Sequence, residues 1–91
     1  MKKYILGTAI RFETVLSEAP EDITIMAISE SMVKKLDVTP MVEENTRTFY
    51  YILQTDKAWE PGIWTAVIEA TSGSGGYVSV AKVQFELEAR Y

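Results

Sequence analysis

Across residues 8–16 the chain alternates. Ile10, Phe12, Thr14 and Leu16 share one face, while Arg11 and Glu13 take the other. A period of two is that of a half-buried β-strand. Residues 17–21, with Pro20, break the pattern. A second strand follows over residues 22–28, with Ile23, Ile25 and Ala27 on one face. Met26 and Ile28 make its other face apolar as well, which places it centrally or under cover on both sides. Residues 29–37 admit two readings. Ile28, Met32, Val33 and Leu36 have helical spacing that Ser29 could cap. A turn at Ser29, Glu30 and Ser31 leading into a strand over residues 32–38 is the simpler path between β segments, and Pro40 suits the end of an edge strand.

Residues 43–46 read as a turn. Residues 46–54 are dense in β-branched and aromatic side chains, with Phe49, Tyr51 and Leu53 opposite Tyr50 and Ile52. A loop over 55–61 precedes a strand over 62–70, where Trp64, Ala66, Ile68 and Ala70 are in phase. The Gly/Ser-rich stretch 71–76 is a flexible loop. The last strand starts at Tyr77 and runs nearly to the end. Its apolar parity changes from Val78 and Val80 to Val83, Phe85 and Leu87, which predicts a β-bulge near Ala81 and Lys82. Six or seven strands in 91 residues predict one all-β domain, an immunoglobulin-like antiparallel β-sandwich of about seven strands over residues 1–91. Its expected core is Trp64, Phe12, Phe85 and Ile68, with Gly62 permitting the tight turn into the Trp64 strand.

Composition narrows the chemistry. The chain has neither Cys nor His. That removes disulfides, thiolate nucleophiles, imidazole bases and Cys/His zinc sites. The formal charge is −4, from 9 basic and 13 acidic residues. The basic residues are scattered, which argues against nucleic acid. The longest apolar run is 49–53, far short of a membrane span of about 18 residues. Surface scaling has about 64% of the unfolded surface buried, enough for one thin core and no enclosed active site.

Candidate chemistry is correspondingly thin. Glu86 and Glu88 lie on one strand face, and neighbours on one strand do not oppose each other across a cleft as paired catalytic carboxylates must. The acidic residues show no Asp-x-Asp spacing for a hard cation. Ser72 and Ser74 precede a strand rather than a helix, so their loop does not match a phosphate cradle. No catalytic, cofactor or metal residue is therefore expected, nor an enzymatic activity. Trp59 is different, because it lies in the 55–61 loop where alternation has stopped. It either folds back as a core plug or anchors a protein partner or a sugar ring. With Tyr50, Tyr77 and Tyr91 it could form an outward aromatic surface, and such a patch on a small acidic domain points to assembly.

The stretch Tyr4-Ile5-Leu6-Gly7-Thr8-Ala9-Ile10-Arg11-Phe12 resembles the Tyr-x-x-Gly-x-x-Val-Arg-Leu/Phe opening of small immunoglobulin-like proteins encoded among phage and prophage structural genes. The stretches Thr48-Phe49-Tyr50-Tyr51, Pro61-Gly62-Ile63-Trp64 and Lys82-Val83-Gln84-Phe85-Glu86-Leu87 are similar to later motifs of that group, whereas Ser29-Glu30-Ser31-Met32 replaces its Asp-Pro-Asp-Gly turn. The resemblance implies a non-catalytic, virion-associated accessory protein of capsid, connector or tail. Such a protein acts through protein partners, either virion proteins or further copies of itself, in the virion or in the host cytoplasm during assembly. A carbohydrate- or cell-surface-binding module using the loop aromatics is the alternative expectation.

Overall fold

The computed structural model of the protein describes residues 1–73 and 76–89. These form eight strands: β1 (Lys2–Ile5), β2 (Ala9–Val15), β3 (Asp22–Ser29), β4 (Lys34–Pro40), β5 (Val42–Asn45), β6 (Thr48–Gln54), β7 (Gly62–Thr71) and β8 (Tyr77–Glu88). They build two facing sheets of unequal width. One has five strands in the order β1-β8-β7-β3-β4, the other three in the order β2-β6-β5. This is the expected immunoglobulin-like β-sandwich. The pairings are antiparallel except that of β1 with β8, which is parallel.

The core follows from the alternation. In β3 and β7 the inward residues meet across the ladder as Ile25 with Ile68, Ala27 with Ala66 and Ser29 with Trp64, and Trp64 continues to Phe85 of β8. The Ala27–Ala66 pair lies between the two bulky rows, which gives the large side chains room to interdigitate without overpacking. Trp64 is fully buried, and Phe12, Phe85 and Ile68 are buried with it. From the facing sheet, Phe12 meets Phe85 at 5.5 Å between ring centroids and an angle of 59°, a favourable tilted aromatic pair. Gly62 has φ +125°, a conformation that side chains beyond hydrogen resist.

Residues 29–37 take the simpler of the two sequence readings, a turn and then a strand, with the turn closed by Met32 N–H on Ser29 O at 3.0 Å and Met32 at φ 66°. Other elements depart from the sequence expectation. Residues 42–45, expected partly as turn, form β5, and the reversal falls one step later at Thr46 and Arg47. The expected bulge exists but is displaced. Ala70 faces Ser79 and Thr71 faces Tyr77, so the extra residue is Val78 and not Ala81 or Lys82. This turns Val78 towards the core and leaves Val80 on the outer face, exposed. The longest discrepancy is β1. Its partner, β8, lies some eighty positions away in the chain, which local patterning cannot register.

The step from β1 to β2 carries the chain from one sheet to the other, and a buried threonine holds it. Thr55 is 2% exposed. Its hydroxyl accepts Gly7 N–H at 2.9 Å and donates to Thr8 O at 2.6 Å. Gln54 Nε2 adds a bond to Gly7 O at 2.9 Å, and Gly7 itself sits at φ 99°. Thr55→Val keeps the shape but strands a polar backbone group. It should therefore destabilise the fold by about 2 kcal/mol, read as a lowered denaturation midpoint with unchanged slope in urea.

Candidate functional site

The aromatic residues expected to form one outward surface are dispersed. Trp59 stacks on Trp64, with ring centroids 5.4 Å apart and planes at 25°, and packs against the core. Its loop is pinned locally. Ala58 N–H bonds Asp56 Oδ1 at 2.9 Å, Trp59 N–H bonds Asp56 O at 3.0 Å, and Trp64 Nε1 donates to Glu60 O at 3.0 Å. Of the two sequence readings for Trp59, the structure selects the plug. Tyr50 lies on the three-stranded sheet beneath the Arg11 guanidinium, 4.2 Å from its ring centroid. Tyr77 is 66% exposed but begins β8 on the other sheet. Tyr91 lies outside the described residues.

The end of the sandwich around Trp59 has a polar tie. Ser31 donates to Glu60 Oε1 at 2.5 Å, the Ser29 and Ser31 hydroxyls lie 3.2 Å apart, and Ser29 Oγ accepts Val33 N–H at 3.0 Å. The hydrogen bond from Ser31, and then that from Ser29, holds the Glu60 carboxyl below its ordinary value of 4.5. Some of the other carboxylates form surface ion pairs: Glu88 with Lys3 at 3.7 Å, Glu13 and Glu44 with Arg11 at 3.1 and 3.4 Å, and Asp37 with Lys34 at 3.4 Å. Among the described residues no group of three or more acidic side chains is arranged to hold a metal ion.

What the structure does gather is a free sheet edge above a groove. Four strands end the two sheets, and three of them carry features that discourage further pairing. β1 is four residues long and contains Lys2 and Lys3. β4 carries Lys34, Lys35 and Pro40 and has two register shifts. β5 is four residues long, acidic and bulged. The fourth, β2, is seven residues without Pro, Lys or bulge, in continuous register with β6 from Ala9 to Val15. At either end of that ladder Leu16 N–H bonds Arg47 O at 2.8 Å and Thr55 N–H bonds Thr8 O at 3.2 Å. The even-numbered residues of β2 therefore bond to β6. Those left facing the open side are the N–H and C=O groups of Ala9, Arg11, Glu13 and Val15.

Below this edge the five-stranded sheet extends further than the three-stranded one. A groove of about 250 Å³ opens between β2 and the strands β1 and β8. Its apolar lining includes Ile10, Phe12, Ile68, Val83 and Phe85. Lys2, Tyr4, Arg11, Glu13 and Gln84 supply the polar and amphipathic part. Of these, Tyr4, Lys2 and Val83 drew no functional attention in the sequence, and Arg11 and Glu13 read simply as the solvated face of a strand. The missing signal was β1, since the groove needs it as a wall.

Fold and site together define the class: a small immunoglobulin-like β-sandwich with one edge strand, β2, that lacks Pro, Lys and bulges. No family model matches the chain, and no curated protein matches it. Among solved structures, CopC from Methylosinus trichosporium OB3b matches with a TM-score of 0.66 over 99% of this chain and 85% of that chain, at 10% sequence identity.

That finding corrects the functional expectation drawn from the sequence. This match is to CopC and not to a virion component, which points away from the phage or prophage accessory role. The physical reason is that the motifs behind the resemblance are fold devices. Gly62 supplies a positive φ and Trp64 fills the core, tasks that any sandwich of this kind sets irrespective of its biological setting. Trp59, the anchor on which the sugar-binding alternative relied, stacks on Trp64 and is partly buried. At 10% identity the likeness to CopC concerns the fold and carries no ligand across.

The Glu60 tie has a pH signature. Its lowered carboxyl value means that it adds stability above the ordinary 4.5, and that this contribution is lost as pH falls through the lowered value. Glu60→Gln keeps the shape without the charge. Wild type should be the more stable of the two near neutral pH. Its advantage should shrink to nothing in acid, as followed by urea midpoints across an acid titration.

Proposed function

We propose that the protein is a non-enzymatic interaction module that binds a protein partner by adding an extended strand to the β2 edge. The observation that carries this reading is the contrast among the four sheet edges. A long edge in continuous register, without Pro, Lys or bulge, is a liability in a free protein unless something pairs with it. β2 has that edge, and the groove beside it offers a place for every second side chain of an incoming strand. Strand addition draws affinity from main-chain hydrogen bonds and selectivity from side-chain pockets, and both parts are present here. The reading asks nothing of the absent nucleophiles, and it explains why the aromatic residues are not gathered on the surface.

The backbone geometry makes the test direct. Short peptides of alternating apolar and polar residues, titrated into isotope-labelled protein, should shift the amide signals of Ala9, Arg11, Glu13 and Val15 more than those of Ile10, Phe12 and Thr14. Glu13→Pro removes one outward N–H without touching the β6 ladder, a placement that edge strands tolerate. This variant should keep its folded spectrum and lose peptide binding by at least about tenfold, the loss of a hydrogen bond plus the neighbouring contacts it aligns. Shifts spread evenly over the molecule, or binding unaffected by Glu13→Pro, would exclude the β2 edge as the site.

A further inference from the structure

The outward face of β2 carries one charge pair, and its position relative to the free edge has a consequence for the partner's sequence. Arg11 and Glu13 are two of the residues whose N–H and C=O groups face the open side. In an antiparallel addition each would sit directly opposite a residue of the incoming strand and exchange both backbone bonds with it. Opposite charges at such positions stabilise pairing and like charges oppose it. Between them, Phe12 points inward, so the residue facing it points into the groove, as does the one facing Ile10.

We infer that Arg11 and Glu13 select an extended partner segment of the order basic–apolar–acidic–apolar, laid antiparallel to β2 with its apolar residues in the groove. This rests on the strand-acceptor reading above and adds direction and sequence to it. Opposite Glu13 comes the basic residue, opposite Phe12 the first apolar one, opposite Arg11 the acidic one, and opposite Ile10 the second apolar one. A parallel strand would need the charges in reverse order. Antiparallel addition continues the geometry of the three-stranded sheet, in which β2, β6 and β5 are all antiparallel.

Arg11 is held ready rather than free. It lies over Tyr50 at 4.2 Å and contacts Glu13 and Glu44 at 3.1 and 3.4 Å. The cluster of one cation and two carboxylates has a net negative charge. The basic residue of the partner therefore meets the stronger complement, and its loss should cost more than the loss of the acidic one. Both members of the pair remain partly exposed, with side-chain exposures of 44% and 46%, so a docking strand can reach them.

A usable probe is a peptide copying residues 8–16 with Val in place of Thr14, because in antiparallel register about Phe12 it sets Arg opposite Glu13, Glu opposite Arg11 and Val opposite Ile10. Its counterpart has that Arg and Glu exchanged. Wild-type protein should bind the copy about tenfold more tightly than the counterpart, the change expected when two facing pairs turn from opposite to like charge. The double variant R11E/E13R should invert the preference, and the neutral variant R11Q/E13Q, which removes both charges while leaving the strand faces intact, should bind the two alike. A nitroxide on the peptide's N-terminus should broaden the Val15 amide and spare Ala9. Equal affinity of wild type for both peptides, or broadening at Ala9 instead, overturns the selection rule while the acceptor edge stands. Binding of neither peptide, with no shift at the β2 amides, brings down the acceptor reading itself.

Discussion

Trp64 lies near the start of β7, the middle strand of the five-stranded sheet, with none of its surface exposed, and its indole N–H is tied to Glu60 O at 3.0 Å. The rest of the sandwich is arranged around that ring. Ser29 and Phe85 flank it in the ladder, Trp59 stacks on it from the loop, and Phe12 reaches Phe85 from the facing sheet. A chain without cysteine cannot restrain its unfolded state with a cross-link. Cohesion must come from burial, and burial is worth most where large rings fit tightly. Placing Trp64 in a strand between β3 and β8 puts the densest packing under the middle of the five-stranded sheet and leaves its two outer strands with less to cover.

That concentration explains the unequal sheets. Three strands are enough to cover the inward faces of β8, β7 and β3, where the buried residues are gathered. β1 and β4 remain at the margins, and their exposure pattern is that of half-covered strands. On the β4 side the margin is closed off chemically, by lysines, a proline and irregular register. On the β1 side Thr55 fixes the chain's crossing between sheets, so β1 is held out beyond β2 and the groove stays open. An open margin of this kind loses hydrophobic contacts. The regular, open β2 edge beside the groove thus follows from where the core is placed and from one buried threonine.

Much of the fold was legible in the chain because alternation is local. β2, β3, β6 and β7 lie within a residue or two of the periodic segments, and Trp64, Phe12, Phe85 and Ile68 are in the core that their phase predicts. Elements whose identity depends on distant partners were not legible. β1 has four residues and a parallel partner at the other end of the sequence, and β5 is an exposed, acidic stretch that reads as a turn until β6 is beside it. The bulge at Val78 was foreseen in kind, since parity has to change somewhere, but its position is set by the register with β7. The groove was least legible of all. Its lining comes from four strands, β1, β2, β7 and β8, and the two charges that mark it, Arg11 and Glu13, look the same in sequence whether the neighbouring edge is covered or free.

The likeness to CopC and the motif resemblance fail as guides to function for one shared reason. The motif resemblance registers fold devices of this chain, Gly62 at positive φ and the buried Trp64, and the likeness to CopC, at 10% identity, registers the shared fold alone. The needs of folding are met in the middle of the sheets. Partner choice, by contrast, is made at the margins, where folds of one class differ in how each edge is protected. A bound strand would cover Tyr4 and Val83 at the groove and stabilise the folded state by mass action in proportion to its occupancy. For a domain this small, with stability of only a few kcal/mol to spare, completing the sheet and recognising the partner would then be the same event.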